Sequence, residues 1–121
     1  MVLGYRITPF EPEPDGYGLD DALALVDRLA GLGLDYIHVS LDDFRLQRPQ
    51  REDRNYMVAS APTGGDGRSP LAEIRAVIAG RCAVIACGGV GTLADARAAM
   101  AAGGDLVAVG RAPVIDPDWL R

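Results

Sequence analysis

Glycines and one arginine gather after two apolar runs near the end of the chain. Residues 88–91 read Gly-Gly-Val-Gly and follow the apolar run 83–86, and Gly110 with Arg111 closes the run 106–109. Glycine lets the backbone approach a ligand closely and leaves N–H groups free for an anion, and a guanidinium forms paired hydrogen bonds that suit phosphate. These residue types predict phosphate binding. The alternative interpretation is that the glycines only make tight strand-to-helix turns.

A helix between the two runs sets the position of their carboxyl ends. Thr92 is followed three residues later by Asp95, the spacing of a capping box at a helix start. Gly103 and Gly104 suit the left-handed turn after a helix end. A strand, a helix and a second strand form a βαβ unit with parallel strands. The positive end of the helix dipole then adds to the anion-binding character of the turn after the first strand.

The rest of the chain continues the alternation of strands and helices. The periodicities predict strands at 2–8, 35–40, 83–86 and 106–109 and helices at 19–32, 70–79 and 93–102. Segment 41–69 shows no sustained period and is predicted to be a long loop.

Four parallel strands and three helices leave one face of the sheet and both of its edges uncovered. Four such units are half of an eight-stranded barrel. We therefore predict an α/β fold, a single half-barrel domain over residues 1–121 that is half of a (β/α)8 TIM barrel and is completed by self-association.

Composition narrows the classes of function. All twelve basic residues are arginine, so no lysine is present for Schiff-base chemistry. The net charge of −5 argues against general binding to nucleic acid or to an anionic membrane. No apolar run has the length to span a bilayer, and the N-terminus lacks a signal pattern. These features predict a cytoplasmic protein.

Few side chains remain that have chemistry of their own. Arg6 lies in a predicted strand, where an arginine either faces solvent or points into a site. His38 is the single histidine, which excludes a two-histidine metal site, and we predict a hydrogen-bonded structural role for it rather than a catalytic one. Cys82 and Cys87 flank a predicted strand and are too far apart to bridge, so we expect two small core residues and no metal site.

Several motifs together resemble the C-terminal half of the old yellow enzyme family, the FMN-dependent NADH:flavin oxidoreductases or ene-reductases. They are Gly-Tyr-Arg-Ile-Thr at 4–8, Asp-Tyr-Ile-His-Val-Ser at 35–40, the Gly88-Gly89 turn, and Val-Gly-Arg-Ala at 109–112 followed by Asp-Pro at 116–117. The resemblance covers nearly the whole chain in order, less clearly at 41–69. It implies a (β/α)8 barrel with FMN at the carboxyl ends of the strands, in which this chain supplies strands five to eight.

The resemblance also implies roles for individual residues. Arg6 would lie against the flavin ring near N1, where a fixed positive charge stabilises the anionic reduced flavin, which favours the site interpretation for this arginine. Gly88, Gly89, Gly110 and Arg111 would hold the FMN phosphate. NAD(P)H would be the co-substrate, and hydride would pass through FMN to a small-molecule substrate, which is an activated alkene, a quinone or oxygen.

In the family, the residues that bind the substrate and donate its proton lie in the first half of the barrel, so we expect no catalytic residue in this chain. One hypothesis is an oxidoreductase whose other half is supplied by another polypeptide. A second is a catalytically inactive half-barrel that self-associates as a homodimer and at most binds a phosphate ligand. A third, a different FMN-binding barrel such as a dihydroorotate dehydrogenase-like protein, is disfavoured by the motif at 4–8 and by the lack of lysine.

Overall fold

Strands and helices alternate along the chain in the computed structural model, which describes residues 1–11, 15–45 and 69–121. The strands are β1 (Gly4–Ile7), β2 (Tyr36–Ser40), β3 (Ala83–Cys87) and β4 (Leu106–Ala108), and the helices are α1 (Leu19–Gly31), α2 (Pro70–Ile78), α3 (Leu93–Ala101) and α4 (Ala112–Ile115). The predicted elements are confirmed, and α4, a helix of 4 residues, is added to the three predicted helices. Most of the predicted loop at 41–69 lies outside the described residues.

The four strands form one parallel sheet in the order β1-β2-β3-β4, so each strand pairs with its neighbours along the chain. Arg6 is paired with His38, and Ser40 is paired with Cys87. Sequential parallel strands joined by helices are the arrangement of a β/α barrel, and four of them are half of one. The predicted α/β half-barrel fold is therefore confirmed.

One face of the sheet carries the core. Ile37, Val39 and Val84 are fully buried because they point toward the helices that cross over the sheet. The helical side of this core includes Val26 of α1 and Leu71, Ile74 and Ile78 of α2. Burying one such side chain stabilises the fold by about 1.5–3 kcal/mol, so the packing of α1 and α2 on this face holds the sheet together.

The other face of the sheet is open in the part of the chain that the structure describes. Residues Tyr36, His38 and Ser40 alternate with the buried positions of β2 and are only partly covered. Because successive side chains of a strand point to opposite faces, Arg6 of β1 shares this open face through its pairing with His38. The face that the sequence predicts to be uncovered is thus the polar one.

Three helix ends differ in how well the sequence predicts them. The capping box at α3 is confirmed, since the Thr92 Oγ1 accepts a hydrogen bond of 3.1 Å from the Asp95 N–H. Helix α2 begins after Ser69 as predicted, but the Ser69 hydroxyl makes no capping bond. The chain reverses at Ala79, with φ of 52°, one residue before the predicted Gly80. An alanine in this left-handed conformation is strained relative to glycine.

Within residues 1–11, 15–45 and 69–121, no helix combines the length and the apolar character that crossing a membrane requires. No group of three or more histidine, cysteine or acidic side chains in those ranges is arranged to hold a metal ion. Both Cys82 and Cys87 are free thiols, as predicted. The prediction that both are core residues is wrong, since both are only partly buried and Cys87 alternates with the buried positions of β3. Burial raises the pKa of the Cys82 thiol, which keeps it protonated and unreactive near neutral pH.

Candidate functional site

The carboxyl ends of the four parallel strands lie along one edge of the sheet, where ligands bind in β/α folds. The turns that follow β3 and β4 lie at this edge, and they carry the predicted residues Gly88, Gly89, Gly110 and Arg111. Arg6 lies on β1, one residue before the strand ends. The fold therefore places all five predicted site residues toward the same side, although no direct contact joins Arg6 to either turn in the described residues.

Arg6 extends over the open face of the sheet and contacts the neighbouring strand. Its Nη2 donates a hydrogen bond of 2.9 Å to the Ser40 Oγ. No carboxylate pairs with Arg6 in the described part of the chain. A guanidinium whose partner is a neutral hydroxyl keeps its whole positive charge for an anion. The sequence analysis did not assign Ser40, although its place on the same strand face as His38 was a usable signal.

His38 lies beside Arg6 on the same face. Burial, and secondly the positive charge of Arg6, lower the pKa of the His38 imidazole from its ordinary value. Its Nε2 is buried and has no hydrogen-bond partner among the described residues, so the predicted hydrogen-bonded role is wrong for this atom. A neutral imidazole at this position leaves Arg6 as the source of positive charge on the face.

Close packing and a positive φ require a glycine at position 88. Its φ is +112°, and an added Cβ would lie 2.1 Å from the carbonyl oxygen of Leu41, in the loop after β2. The Phe44 N–H donates a hydrogen bond of 3.2 Å to the Gly88 carbonyl oxygen. The turn after β3 is thus packed against the loop after β2. For Gly88, the alternative of a structural glycine in a tight turn is supported by these contacts.

An acidic side chain lies against the next glycine. A Cβ added to Gly89, whose φ is +68°, would lie 2.7 Å from the Asp43 carboxyl carbon. Arg45 contacts the same place, since its Nη1 donates to the Asp43 Oδ1 at 3.1 Å and to the Gly89 carbonyl oxygen at 3.4 Å. Arg45 also forms an ion pair with Asp95. The sequence analysis missed Asp43 and Arg45 because they lie in a segment without a recognisable period.

The backbone N–H groups at the start of α3 donate to a side chain of the same helix. The Asp95 Oδ2 accepts hydrogen bonds from the N–H groups of Gly91 at 3.1 Å and Thr92 at 2.9 Å. The hydrogen bond from the Thr92 side chain, followed by that from the Gly91 N–H, lowers the pKa of the Asp95 carboxyl. Asp95 therefore stays ionised and already occupies part of the positive helix end that the sequence analysis assigned to phosphate.

The turn after β4 is the open part of the site. Nothing lies within 4 Å of a Cβ added to Gly110. The exposed Arg111 side chain makes no hydrogen bond or ion pair with the described residues, and the N–H groups of Gly110 and Arg111 donate to no acceptor there. The Arg111 carbonyl oxygen accepts from the N–H groups of Val114 and Ile115 and so begins α4. This turn offers two backbone donors and one guanidinium to an anion.

A tryptophan connects the end of the described chain to the turn after β3. The Trp119 Nε1 donates a hydrogen bond of 2.6 Å to the carbonyl oxygen of Gly91. The segment after α4 is thereby held beside the glycine turn that precedes α3. No spacing in the sequence signals this contact.

No protein-family model matches the chain, but individual relatives do. It is 37% identical over 123 residues to the NADH:fumarate oxidoreductase of Klebsiella pneumoniae (strain 342), an alignment that covers 98% of this chain and 12% of that protein. It is 32% identical over 119 residues to the probable NADH-dependent flavin oxidoreductase YqiG of Bacillus subtilis (strain 168), covering 98% of this chain and 29% of that protein. The chain thus spans less than a third of the length of these relatives.

A solved structure supports the same fold. The crystal structure of DHODH from Eimeria tenella, in complex with ferulenol, matches the chain with a TM-score of 0.58 and 25% sequence identity. The match covers 93% of this chain and 29% of that one. Because DHODH is a TIM barrel, the match agrees with a half-barrel. The curated relatives, which are named NADH-dependent oxidoreductases, confirm the resemblance of this chain to the old yellow enzyme family.

Proposed function

We propose that the chain is the FMN-phosphate-binding half of an NADH:flavin oxidoreductase. The observation that carries the proposal is the pair of anion-binding features at one edge of the sheet. Arg6 presents a guanidinium without a carboxylate partner in the described residues, and the Gly110-Arg111 turn presents free donors beside open space. FMN carries negative charge at two places, the phosphate and the N1 edge of the reduced ring. Each could be bound by one of these two features, so the residues present fit this cofactor.

The proposal gives each residue a separate task. Gly110 and Arg111 bind the phosphate directly. Gly89 lies at the same edge of the sheet, but the Asp43 carboxylate beside it disfavours an anion at that turn. Gly88 acts through its close packing with the loop after β2. Arg6 lies at the ring edge near N1, where its charge favours the reduced anion.

When bound, FMN supplies the hydride-carrying chemistry between NAD(P)H and an acceptor. An activated alkene is the favoured acceptor class, because one relative is named for the reduction of fumarate. No described residue of this chain is assigned to bind the acceptor or to donate its proton. Turnover therefore requires the complementary barrel half, whether it comes from a longer polypeptide or from a separate chain.

The visible spectrum of the purified chain tests cofactor binding. After incubation with FMN and desalting, we expect the wild type to retain flavin, and we expect Arg6→Ala and Arg111→Ala to retain at least several-fold less, because a charged hydrogen bond contributes about 1.5–3 kcal/mol. Arg121→Ala is the matched control, since Arg121 is a highly exposed arginine that pairs with Asp118. A wild-type chain that emerges colourless contradicts the proposal.

The second candidate function is a self-associating half-barrel without activity. It is favoured by the open sheet face and by exposed apolar side chains near both edge strands. Those side chains are Val2, Leu3 and Tyr5 at β1 and Leu106, Val114 and Ile115 at and after β4. We propose a second copy of the chain as the occupant of these edges, because two four-stranded sheets supply the eight strands of a barrel whose interior side chains can fill.

The mass of the particle in solution tests this assembly. In the proposed dimer, β4 of one copy lies beside β1 of its partner. We expect light scattering to give the mass of a dimer at micromolar concentration, and we expect Leu106→Arg to shift the protein to the monomer. Leu32→Arg is the control, since Leu32 is an exposed leucine in the turn after α1. A wild-type monomer at these concentrations excludes the homodimer.

A further inference from the structure

The geometry points to Ser40 as a positioning residue that holds the Arg6 guanidinium over the open face of the sheet. The inference rests on the proposed function, because it concerns the arginine that is assigned to the flavin ring. It adds a residue that neither the sequence motifs nor the names of the relatives assign.

The backbone fixes both partners. Arg6 and His38 are paired across β1 and β2, so Ser40 is the next residue of β2 on the same face, toward the carboxyl end. This diagonal relationship is within reach of a long side chain. The Arg6 Nη2 crosses to the Ser40 Oγ at 2.9 Å. The hydrogen bond therefore directs the guanidinium along β2 toward the edge where the glycine turns lie.

Arginine needs such a partner if it is to act as a fixed charge. A free arginine side chain loses conformational freedom when it is immobilised, which costs binding free energy. A partner that is built on an adjacent strand removes part of that freedom before the ligand arrives, which is the general benefit of preorganisation.

The chemical type of the partner matters as much as its position. A carboxylate at this place would hold the arginine but would also cancel its charge, whereas a hydroxyl holds it and leaves the charge intact. No carboxylate pairs with Arg6 in the described ranges. Ser40 is paired in register with Cys87, which is not a carboxylate. Ser40 thus fixes Arg6 without neutralising it.

A role in stability alone makes a different prediction. The contact between Arg6 and Ser40 is solvent-exposed, and exposed hydrogen bonds and ion pairs contribute little to folding. Ser40→Ala should therefore leave the unfolding midpoint nearly unchanged. Its effect should appear in properties of the bound flavin that respond to positive charge at the ring.

The test compares the wild-type chain with Ser40→Ala, Ser40→Thr, Arg6→Ala and the double variant. The readouts are the Kd for FMN from fluorescence quenching and the midpoint potential of the bound flavin. We expect Ser40→Ala to raise the Kd about five-fold, as the loss of one hydrogen bond of about 1 kcal/mol predicts, and to make the potential more negative. Ser40→Thr keeps the hydroxyl and should restore both values.

The double variant tests whether the effect of Ser40→Ala depends on Arg6. If Ser40 acts through Arg6, Ser40→Ala has no further effect when Arg6 is already alanine. Ser40→Cys, which is similar in shape and a much weaker acceptor, gives a second comparison if Ser40→Ala does not fold. A wild-type chain that binds no FMN overturns the proposed function together with this inference. FMN binding with an unchanged Kd and potential in Ser40→Ala, or additive effects in the double variant, overturns the role of Ser40 alone.

Discussion

The indole Nε1 of Trp119 donates a hydrogen bond of 2.6 Å to the carbonyl oxygen of Gly91, 28 residues earlier in the chain. The acceptor lies in the turn that joins β3 to α3, so the contact ties the chain after α4 to the part of the site that precedes α3. A contact of this kind holds a short segment that has little buried surface of its own.

Trp119→Phe removes the donor and keeps an aromatic ring. We expect it to lower the free energy of unfolding by about 1 kcal/mol, the usual contribution of one hydrogen bond, and to increase amide exchange in α4. Urea unfolding and hydrogen exchange measure the two effects. Leu120→Ala is the control, because Leu120 is 74% exposed. Equal exchange in α4 of both variants would show that the indole contact does not hold the segment.

Gly88→Ala and Gly110→Ala should differ in their effects on stability and on FMN binding. At Gly88, the added Cβ would lie 2.1 Å from the Leu41 carbonyl oxygen, at a φ of +112°, so we expect a loss of about 3 kcal/mol or more. At Gly110 nothing lies within 4 Å of the added Cβ, so stability should change by less than about 0.5 kcal/mol. Thermal unfolding measures both effects. On the proposed function, Gly110→Ala instead weakens FMN binding, and equal stability losses would contradict the packing described for Gly88.

Asp105 supports the sheet from the amino end of β4. Its Oδ2 accepts a hydrogen bond of 2.8 Å from the Val84 N–H and forms an ion pair with Arg75. The Val84 N–H, and then the hydrogen bond from Arg75, lower the pKa of the Asp105 carboxyl.

Asp105→Ala leaves the partly buried Val84 N–H without its acceptor, for which we expect a loss of about 1–3 kcal/mol. Because the pKa is lowered in the folded state, the contribution of the carboxylate is complete above the ordinary value of 3.8 and is lost as pH falls further. Chemical unfolding at pH 7 and pH 3 measures both effects. Asp118 forms an exposed pair with Arg121, so Asp118→Ala should leave the free energy of unfolding unchanged at both pH values. Similar losses of stability in the two variants would contradict this role for Asp105.

His38 predicts a separate pH dependence near neutrality. Its pKa is lowered from 6.5 in the folded chain, so the unfolded state takes up a proton more readily. The stabilising contribution is therefore complete above pH 6.5 and declines as pH falls from 6.5 toward the folded pKa. His38→Gln, which does not titrate, should flatten the stability profile between pH 7 and pH 5. An unchanged slope in this variant would assign the dependence to other groups.

The strands, the helices and the open sheet face were predictable because each follows a local rule. The alternation of apolar residues gives the strands their buried face, and the spacing from Thr92 to Asp95 gives α3 its start. The left-handed Ala79 was not predictable, since the requirement comes from the path of the chain and not from the preference of alanine. The one-turn helix α4 was missed because 4 residues are too few to show a period.

The residues of the candidate site also divide into those that local sequence patterns predict and those that they do not. Arg6, Gly110 and Arg111 could be assigned to the candidate site because motifs in the sequence carry them. Asp43, Arg45 and Trp119 were missed because their contacts with the turn after β3 join segments that are far apart in the chain, and no local pattern encodes such distances. Their effect is substantial, since Asp43 brings an acidic group to Gly89, where the sequence alone indicated only space for an anion.

The lengths of the connections between sequential strands suggest an expectation for the order of assembly. The stretch from β3 to β4 (87–106) is shorter than that from β1 to β2 (7–36), and the stretch from β2 to β3 (40–83) is the longest. Because the entropic cost of closing a loop rises with its length, we expect two βαβ halves to form first and to join last along β2 and β3. The turn at Gly88 packs on the loop after β2 at that seam, so we expect the turn after β3 to be completed when the two halves join.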